Sequence, residues 1–451
     1  MNDRPAMQQP DRKQTILTRP TRSVGGRIQV PGDKSISHRA LIFGALADGT
    51  TDIQGFLPGE DCLATMAALR AMGVDIKQSD TTTIRVVGAG LQGLAAPAAP
   101  LDMGNSGTAM RLLAGLLSGQ AFDSVLVGDA SLMQRPMQRV ATPLRMMGAG
   151  ITTADSGHPP LTMTGGQPLH GIEYKLPVAS AQVKSAILLA ALYATGRTTV
   201  IEPAVTRDHT ERMLARFGYP TRHAGGRVSL VPGGRLTATR IDVPGDLSSA
   251  AFFLLAGSIA DRGELVIENV GLNPTRTGIL QILKRMGAEI LVASPGAIDT
   301  PGEGESSGTI IVRPARLHGI ELPTELVPLA IDELPIVFIA AALADGQTVI
   351  RGAGELRHKE SDRISVMVNG LRALGADIQE RPDGAIIQGG ALSGGEIDTG
   401  GDHRVAMAFA VAGIAAQAPI RIIDTANVAT SFPGFIRDAG DIGMHLETVD
   451  D

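Results

Sequence analysis

The sequence of 451 residues predicts an α/β protein of two similar domains, each of three βαβαββ-type repeats whose parallel, strongly apolar helices are surrounded by sheets: an inside-out α/β barrel. Three observations carry this. The phrase Val30-Pro31-Gly32-Asp33 recurs as Val243-Pro244-Gly245-Asp246, each time leading into an apolar helical run, which marks a duplication. A large apolar residue followed by Gly recurs at Met72-Gly73, Met147-Gly148, Phe217-Gly218, Met286-Gly287, Leu374-Gly375 and Ile442-Gly443, the glycines lying 75, 70, 69, 88 and 68 residues apart. Such a period belongs to repeated supersecondary units. Each unit also holds a far more apolar run: His38 to Ala47, Ala109 to Ser118, Val183 to Thr195, Ala250 to Ala260, Leu334 to Ala344 and Arg404 to Gln417.

The amphipathic stretches that end at the repeated Gly read as surface helices. One such Gly would be an ordinary helix C-cap; six at near-constant spacing define a unit. The long interval contains Gly302 to Gly308, which reads as an inserted loop. Apolar runs with no polar face belong inside, and several stop at breakers such as Asp48-Gly49 or Thr195-Gly196. β-rich segments such as Thr198 to Ile201 and Thr348 to Ile350 follow them. The chain is expected to cross between halves near Ile28 to Gly32 and Asp242 to Gly245. The domains are then 31–243, and 1–30 together with 244–451.

Composition excludes several function classes. No apolar stretch reaches the roughly 18 residues of a membrane span, and residues 1–22 lack the apolar core of a signal peptide. A cytoplasmic protein is expected, with residues 1–22 as a disordered tail. The lone cysteine, Cys62, forbids an intrachain disulfide. The nine histidines show no ligand spacing, so neither metal nor cofactor is expected. Zero Trp, three Tyr and a net charge of −6 argue against a nucleic-acid partner.

Polar residues collect at the expected helix starts: Lys34 to Arg39, Asn105 to Thr108, Ser180 to Gln182, Asp332-Glu333, Lys359 to Arg363 and Asp402 to Arg404. Capping accounts for the Ser, Asp and Asn residues. It does not account for the cations: each opposes the helix macrodipole by about 0.3–1 kcal/mol. Lys34, Arg39, Lys359, Arg363 and Arg404 are therefore unfavourable there unless an anion joins them. A P-loop is ruled out, because the Gly positions before its Lys are filled by Asp33 and Ile28. In isolation Asp332 reads as a helix cap before Leu334-Pro335, and Glu360 as an exposed acid paired with Arg363.

The segments Pro31 to Arg39, Gly104 to Arg111, Gln134 to Met137 and Leu356 to Arg363, in this order, resemble the signatures of the 5-enolpyruvylshikimate-3-phosphate synthases, and the likeness runs from about Gly25 to about Gly443. The resemblance implies two three-repeat domains on a double-crossover hinge. It implies transfer of the enolpyruvyl group of phosphoenolpyruvate to the 5-hydroxyl of shikimate 3-phosphate, releasing phosphate, on the route to chorismate. It places Lys34, Gly107, Arg135, Gln182, Arg363 and Arg404 at phosphoenolpyruvate. It places Lys34, Ser35, Arg39, Ser180, Gln182, Arg207, Asp332 and Lys359 at shikimate 3-phosphate. Asp332, Glu360 and Lys34 would handle protons, in a monomer without cofactor. Because these residues fall on both sides of the second VPGD phrase, substrate binding is expected to draw the halves together.

Departures from the family pattern are few. Thr430 stands where many members carry a Lys, and His358 and Thr206 to His209 resemble a divergent, often glyphosate-tolerant branch, although Gly107 is the residue associated with sensitivity. The sister transferase acting on UDP-N-acetylglucosamine has Lys-Asn where this chain has Lys34-Ser35, and a reactive loop Cys. Gly128 to Met133 holds none, and Cys62 reads as packing.

Overall fold

The computed structural model describes residues 14–296 and 304–449. Their α-helices are, in chain order, α1 (Lys34–Leu46), α2 (Glu60–Ala71), α3 (Gly107–Leu117), α4 (Gln138–Met146), α5 (Ala181–Ala191) and α6 (His209–Arg216). The second series is α7 (Leu247–Ile259), α8 (Gly278–Arg285), α9 (Leu334–Leu343), α10 (Arg363–Ala373), α11 (His403–Ala412) and α12 (Phe435–Asp441). Odd-numbered helices are the apolar runs and bury nearly every side chain, whereas even-numbered ones bury one face. After each even-numbered helix the repeated Gly takes a positive φ, between 80° and 98°. That left-handed turn is open to Gly without the Cβ penalty, which explains the period seen in the sequence.

The protein is a mixed α/β fold with five four-stranded sheets and one three-stranded sheet among the described residues. In a typical unit the strand after the buried helix pairs antiparallel with a hairpin that follows the surface helix, and a parallel strand completes the edge. Thus Thr50–Gln54 pairs with Ile84–Val87 on one side and, in parallel, with Arg240–Asp242 on the other, Ile53 opposite Ile241. Likewise Gly26–Gln29 lies parallel to Leu265–Gly271.

Three expectations need correction. Thr15–Arg19 is not a disordered tail: it is a strand between Ile420–Ile423 and His445–Val449, where other units place the second hairpin strand. Its apolar alternation was hidden by buried threonines, and the Thr18 hydroxyl donates to the Ala410 carbonyl at 3.0 Å. Residues 1–13 lie outside the described residues. The run to Gln417 stops being α-helical at Ala412, where i→i+3 bonds take over; Thr18 crosses this end so closely that a Cβ on Gly413 would sit 2.2 Å from its hydroxyl. Ile414 and Ala416 stay buried without being helical. The run to Thr195 likewise ends as α-helix at Ala191, and tight i→i+3 bonds carry Leu192 to Ala194. Of the expected insertion Gly302 to Gly308, residues 302 and 303 lie outside the described residues, whereas Ser307 and Gly308 are not loop but open the strand Ser307–Arg313, which pairs with Glu289–Gly296.

Buried apolar side chains form two clusters, one drawn from Ile36 to Val243, the other from Ile16 to Val30 and Leu247 to Met444. Between them the two VPGD phrases run side by side. Asp33 N–H donates to the Pro244 carbonyl and Asp246 N–H to the Pro31 carbonyl, both at 2.8 Å. A Cβ on Gly32 would lie 1.8 Å from the Gly55 carbonyl oxygen, so only Gly permits this crossing. No helix among the described residues is long and apolar enough to cross a membrane.

Candidate active site

The helix starts are capped as their side chains suggest: Asp33, Ser106, Ser180, Asp246, Asp362 and Asp402 each accept from a backbone N–H of the first turn. Asp332 is the exception. The cap position of α9 is Glu333, which makes no capping bond, and the Asp332 carboxylate is turned away. It meets Arg207 at 2.6 Å, Lys359 at 3.2 Å and Arg363 at 3.4 Å.

These groups face a cavity of about 350 Å³ between the two clusters, lined by all thirteen site residues named from the sequence. From the first half, α1 supplies Lys34, paired with Asp61, and Arg39, whose guanidinium donates to Thr210 at 2.7 Å, Ser185 at 2.7 Å and the Ser35 carbonyl at 3.0 Å. Ser180 caps α5. Gln182, two residues on, donates to the Thr108 hydroxyl at 2.8 Å. Gly107 opens α3, and a Cβ there would lie 3.1 Å from both the Arg111 and Arg135 guanidinium groups. From the second half come Asp332, Lys359, Glu360, Arg363 and Arg404, the last donating to the Asp332 carbonyl at 3.2 Å.

Ion pairs span the cleft. Arg135 reaches Glu360 at 3.3 Å, Arg207 reaches Asp332, and Arg139 reaches Glu355 at 2.5 Å. Glu360 is thus no exposed acid: it sits between Arg135 and Arg363. Burial alone would raise the pKa of both catalytic candidates. For Asp332 the charges of Lys359, Arg207, Arg404 and Arg363 outweigh burial, and for Glu360 those of Arg363, Arg135 and Lys359 do so. Both are held well below the usual carboxylate range, so both are ionised at neutral pH.

Sequence reasoning missed several residues of the cavity. Arg111 is buried and donates to the Gln182 amide oxygen at 2.5 Å; burial and its neighbours Arg139 and Arg135 bring its pKa down to about 9. Its spacing of four from Gly107 puts it on the same helix face, a signal that was available. Arg276 had none: it bonds Asp33 at 2.9 Å and Asp246 at 3.0 Å, joining the aspartates of the two VPGD phrases. Cys62 is buried against the Lys34 carbonyl, and burial pushes its thiol well above the ordinary range, so it is no nucleophile. Thr430 does not line the cavity; its hydroxyl donates to the Asn427 carbonyl at 2.7 Å. His358 does line it.

His38 and His403 are buried and held neutral, by desolvation first and by the nearby Lys34 charge next. In the unfolded chain both gain protons below about pH 6.5, whereas in the fold they do not. Stability from them is complete above that pH and is lost as pH falls, by up to about 1.4 kcal/mol per unit for each histidine. Asp332 and Glu360 add a further loss only near and below about pH 4. Urea denaturation between pH 8 and pH 5 should therefore give a plateau above pH 7 and a fall below 6.5.

A cavity that gathers this many cations around two carboxylates defines an enzyme for anionic substrates. The chain matches the family described as EPSP synthase (3-phosphoshikimate 1-carboxyvinyltransferase) over residues 18–438. It is 60% identical over 431 residues to the 3-phosphoshikimate 1-carboxyvinyltransferase of Acidithiobacillus ferrooxidans, covering 96% of this chain and 98% of that one. The protein of that name from Methylococcus capsulatus is 56% identical, with 95% and 98% coverage. An EPSP synthase structure from Acinetobacter baumannii superposes with a TM-score of 0.86 at 51% identity, covering 97% of this chain and all of that one. The chain belongs to the EPSP synthase family.

Proposed function

We propose that this cleft joins phosphoenolpyruvate to the 5-hydroxyl of shikimate 3-phosphate, giving 5-enolpyruvylshikimate 3-phosphate and inorganic phosphate, in chorismate biosynthesis. The observation that carries the reading is the pair Asp332 and Glu360, held in one cavity by cations from both halves. Two unit charges 4 Å apart repel by about 4 kcal/mol at an effective dielectric near 20, so two multiply charged substrates need such a surround.

In this reading Arg135, Arg363 and Arg404 clamp the carboxylate and phosphate of phosphoenolpyruvate, for which forked guanidinium groups are suited. The Gly107 backbone approaches closely, and Lys34 and Gln182 sit between the substrates. Ser35, Arg39, Ser180, Arg207 and Lys359 hold shikimate 3-phosphate. Asp332, ionised beside Lys359, takes the 5-hydroxyl proton. Glu360 protonates the methylene carbon. It becomes able to do so because phosphoenolpyruvate draws Arg135 and Arg363 away from it, and burial then raises its pKa. From the tetrahedral intermediate Glu360 takes a proton back from the methyl group as the carbon–oxygen bond to phosphate breaks and the C=C bond re-forms, and the proton held by Asp332 leaves with the phosphate.

The two apolar clusters are proposed to be two domains, 31–243 and 1–30 with 244–451, inside-out α/β barrels that close about the VPGD crossings. One chain then contains a whole site and works as a monomer. Phosphate release tests the reading: phosphoenolpyruvate should release phosphate with shikimate 3-phosphate and not with UDP-N-acetylglucosamine. Release with the sugar nucleotide alone would assign the chain to the sister reaction.

A further inference from the structure

Behind the cleft lies a buried charge cluster that the proposed mechanism does not use. Lys184, on α5, has a side chain only 1% exposed. Its ammonium meets Glu211 of α6 at 2.7 Å and Glu202, just past the strand Thr198–Ile201, at 3.1 Å. The trio adjoins both phosphate-directed arginines: Glu202 contacts the turn that carries Arg207, and the chain neighbours of Lys184 and Glu211 contact Arg39. Glu202 also accepts the Thr206 hydroxyl, which fixes the turn bearing Arg207. Ser185, next to Lys184, and Thr210, next to Glu211, are the two hydroxyls that accept from Arg39, and they are 2.7 Å from each other.

We propose that Lys184, with Glu202 and Glu211, is a positioning group that sets Arg39 and Arg207 for the phosphate of shikimate 3-phosphate; this rests on the reading of those two arginines given above. One ammonium ties α5 to α6 and to the Arg207 turn, so the donors that orient Arg39 and the turn that aims Arg207 share one anchor. Without it, two buried carboxylates would face each other with no cation between them. The like charges would part, carrying Thr210 away from Ser185 and Thr206 away from its place. Burial by itself would drive the proton off Lys184, and the charges of Glu211 and Glu202 outweigh burial and keep it on. A buried ion pair is weak evidence for a stability role, since apolar replacements of similar volume are often tolerated. Its placement behind two phosphate-directed arginines fits a positioning role instead.

The test is calorimetric titration of the full chain with shikimate 3-phosphate, together with steady-state kinetics, for Lys184→Met, Glu202→Gln, Lys184→Arg and Arg39→Ala. Lys184→Met is expected to weaken shikimate 3-phosphate binding by about tenfold or more, with the KM for phosphoenolpyruvate within about threefold of the parent. Glu202→Gln, the milder change that keeps an acceptor for Thr206, should move the same constant in the same direction. Lys184→Arg, which keeps the charge, should recover part of the loss. If Arg39→Ala leaves binding unchanged, the underlying assignment of Arg39 fails. If Arg39→Ala weakens binding while Glu202→Gln and Lys184→Met do not, the positioning role is overturned. Should Lys184→Met fail to fold, Glu202→Gln decides alone. Equal damage to both substrates and to kcat would indicate a merely structural role and also overturn the proposal.

Discussion

Asp332→Asn and Glu360→Gln are each expected to lower kcat by about 10²–10⁴-fold, the usual contribution of a positioned acid or base. Binding should change far less, because removing a group that acts chiefly in the transition state lowers kcat and kcat/KM together. Both substitutions preserve shape while abolishing the charge and replacing one acceptor oxygen by a donor. The two should differ in a second respect. Asp332 faces Arg207, Lys359 and Arg363, so its loss leaves cations that repel one another across the cleft. Glu360 competes with phosphoenolpyruvate for Arg135 and Arg363, so Glu360→Gln should leave phosphoenolpyruvate bound as tightly as before or more tightly. Rapid-quench measurement of a single turnover with each variant separates the chemical step from binding. An undiminished turnover in either variant would remove that carboxylate from the mechanism.

Arg363→Met should damage activity and stability together. The guanidinium is 1% exposed and meets Asp402 at 2.7 Å, Asp332 at 3.4 Å and Glu360. Asp402 is fully buried and caps α11 through its other oxygen, so it cannot turn to water when its partner goes. Removing one member of such a buried pair costs about 3–5 kcal/mol, which urea denaturation would register as a lower midpoint. Arg363→Lys should restore part of the stability and little of the turnover, since an ammonium cannot span three carboxylates as a planar fork does. A variant as stable as the parent would mean that Asp402 finds compensation elsewhere.

What the sequence disclosed and what it hid follow one physical line. Features dictated locally were legible. The glycines after the surface helices must adopt a left-handed turn, and the buried helices must be apolar all round, so the repeats were visible without a partner in sight. The VPGD phrase was legible for the same reason, since Gly32 has no room for a side chain against Gly55. Features that depend on distant partners were not. Thr15–Arg19 is a strand because residues more than 400 positions away pair with it. Arg276 joins the two VPGD aspartates from a loop 243 residues beyond the first, and nothing near it announces that task. Cations at helix starts were a local anomaly, and that anomaly pointed to the cleft; their pairing with Asp332 and Glu360 across it could come only from the fold.

A crystal structure of the protein with shikimate 3-phosphate and phosphoenolpyruvate or a non-reacting analogue tests the account most directly. It should hold both molecules in the single cavity, with Arg135 and Arg363 turned from Glu360 onto the phosphoenolpyruvate anions, and the 5-hydroxyl against Asp332. Substrates seated elsewhere, or bound wholly within one half with Asp332 and Glu360 out of reach, would contradict it.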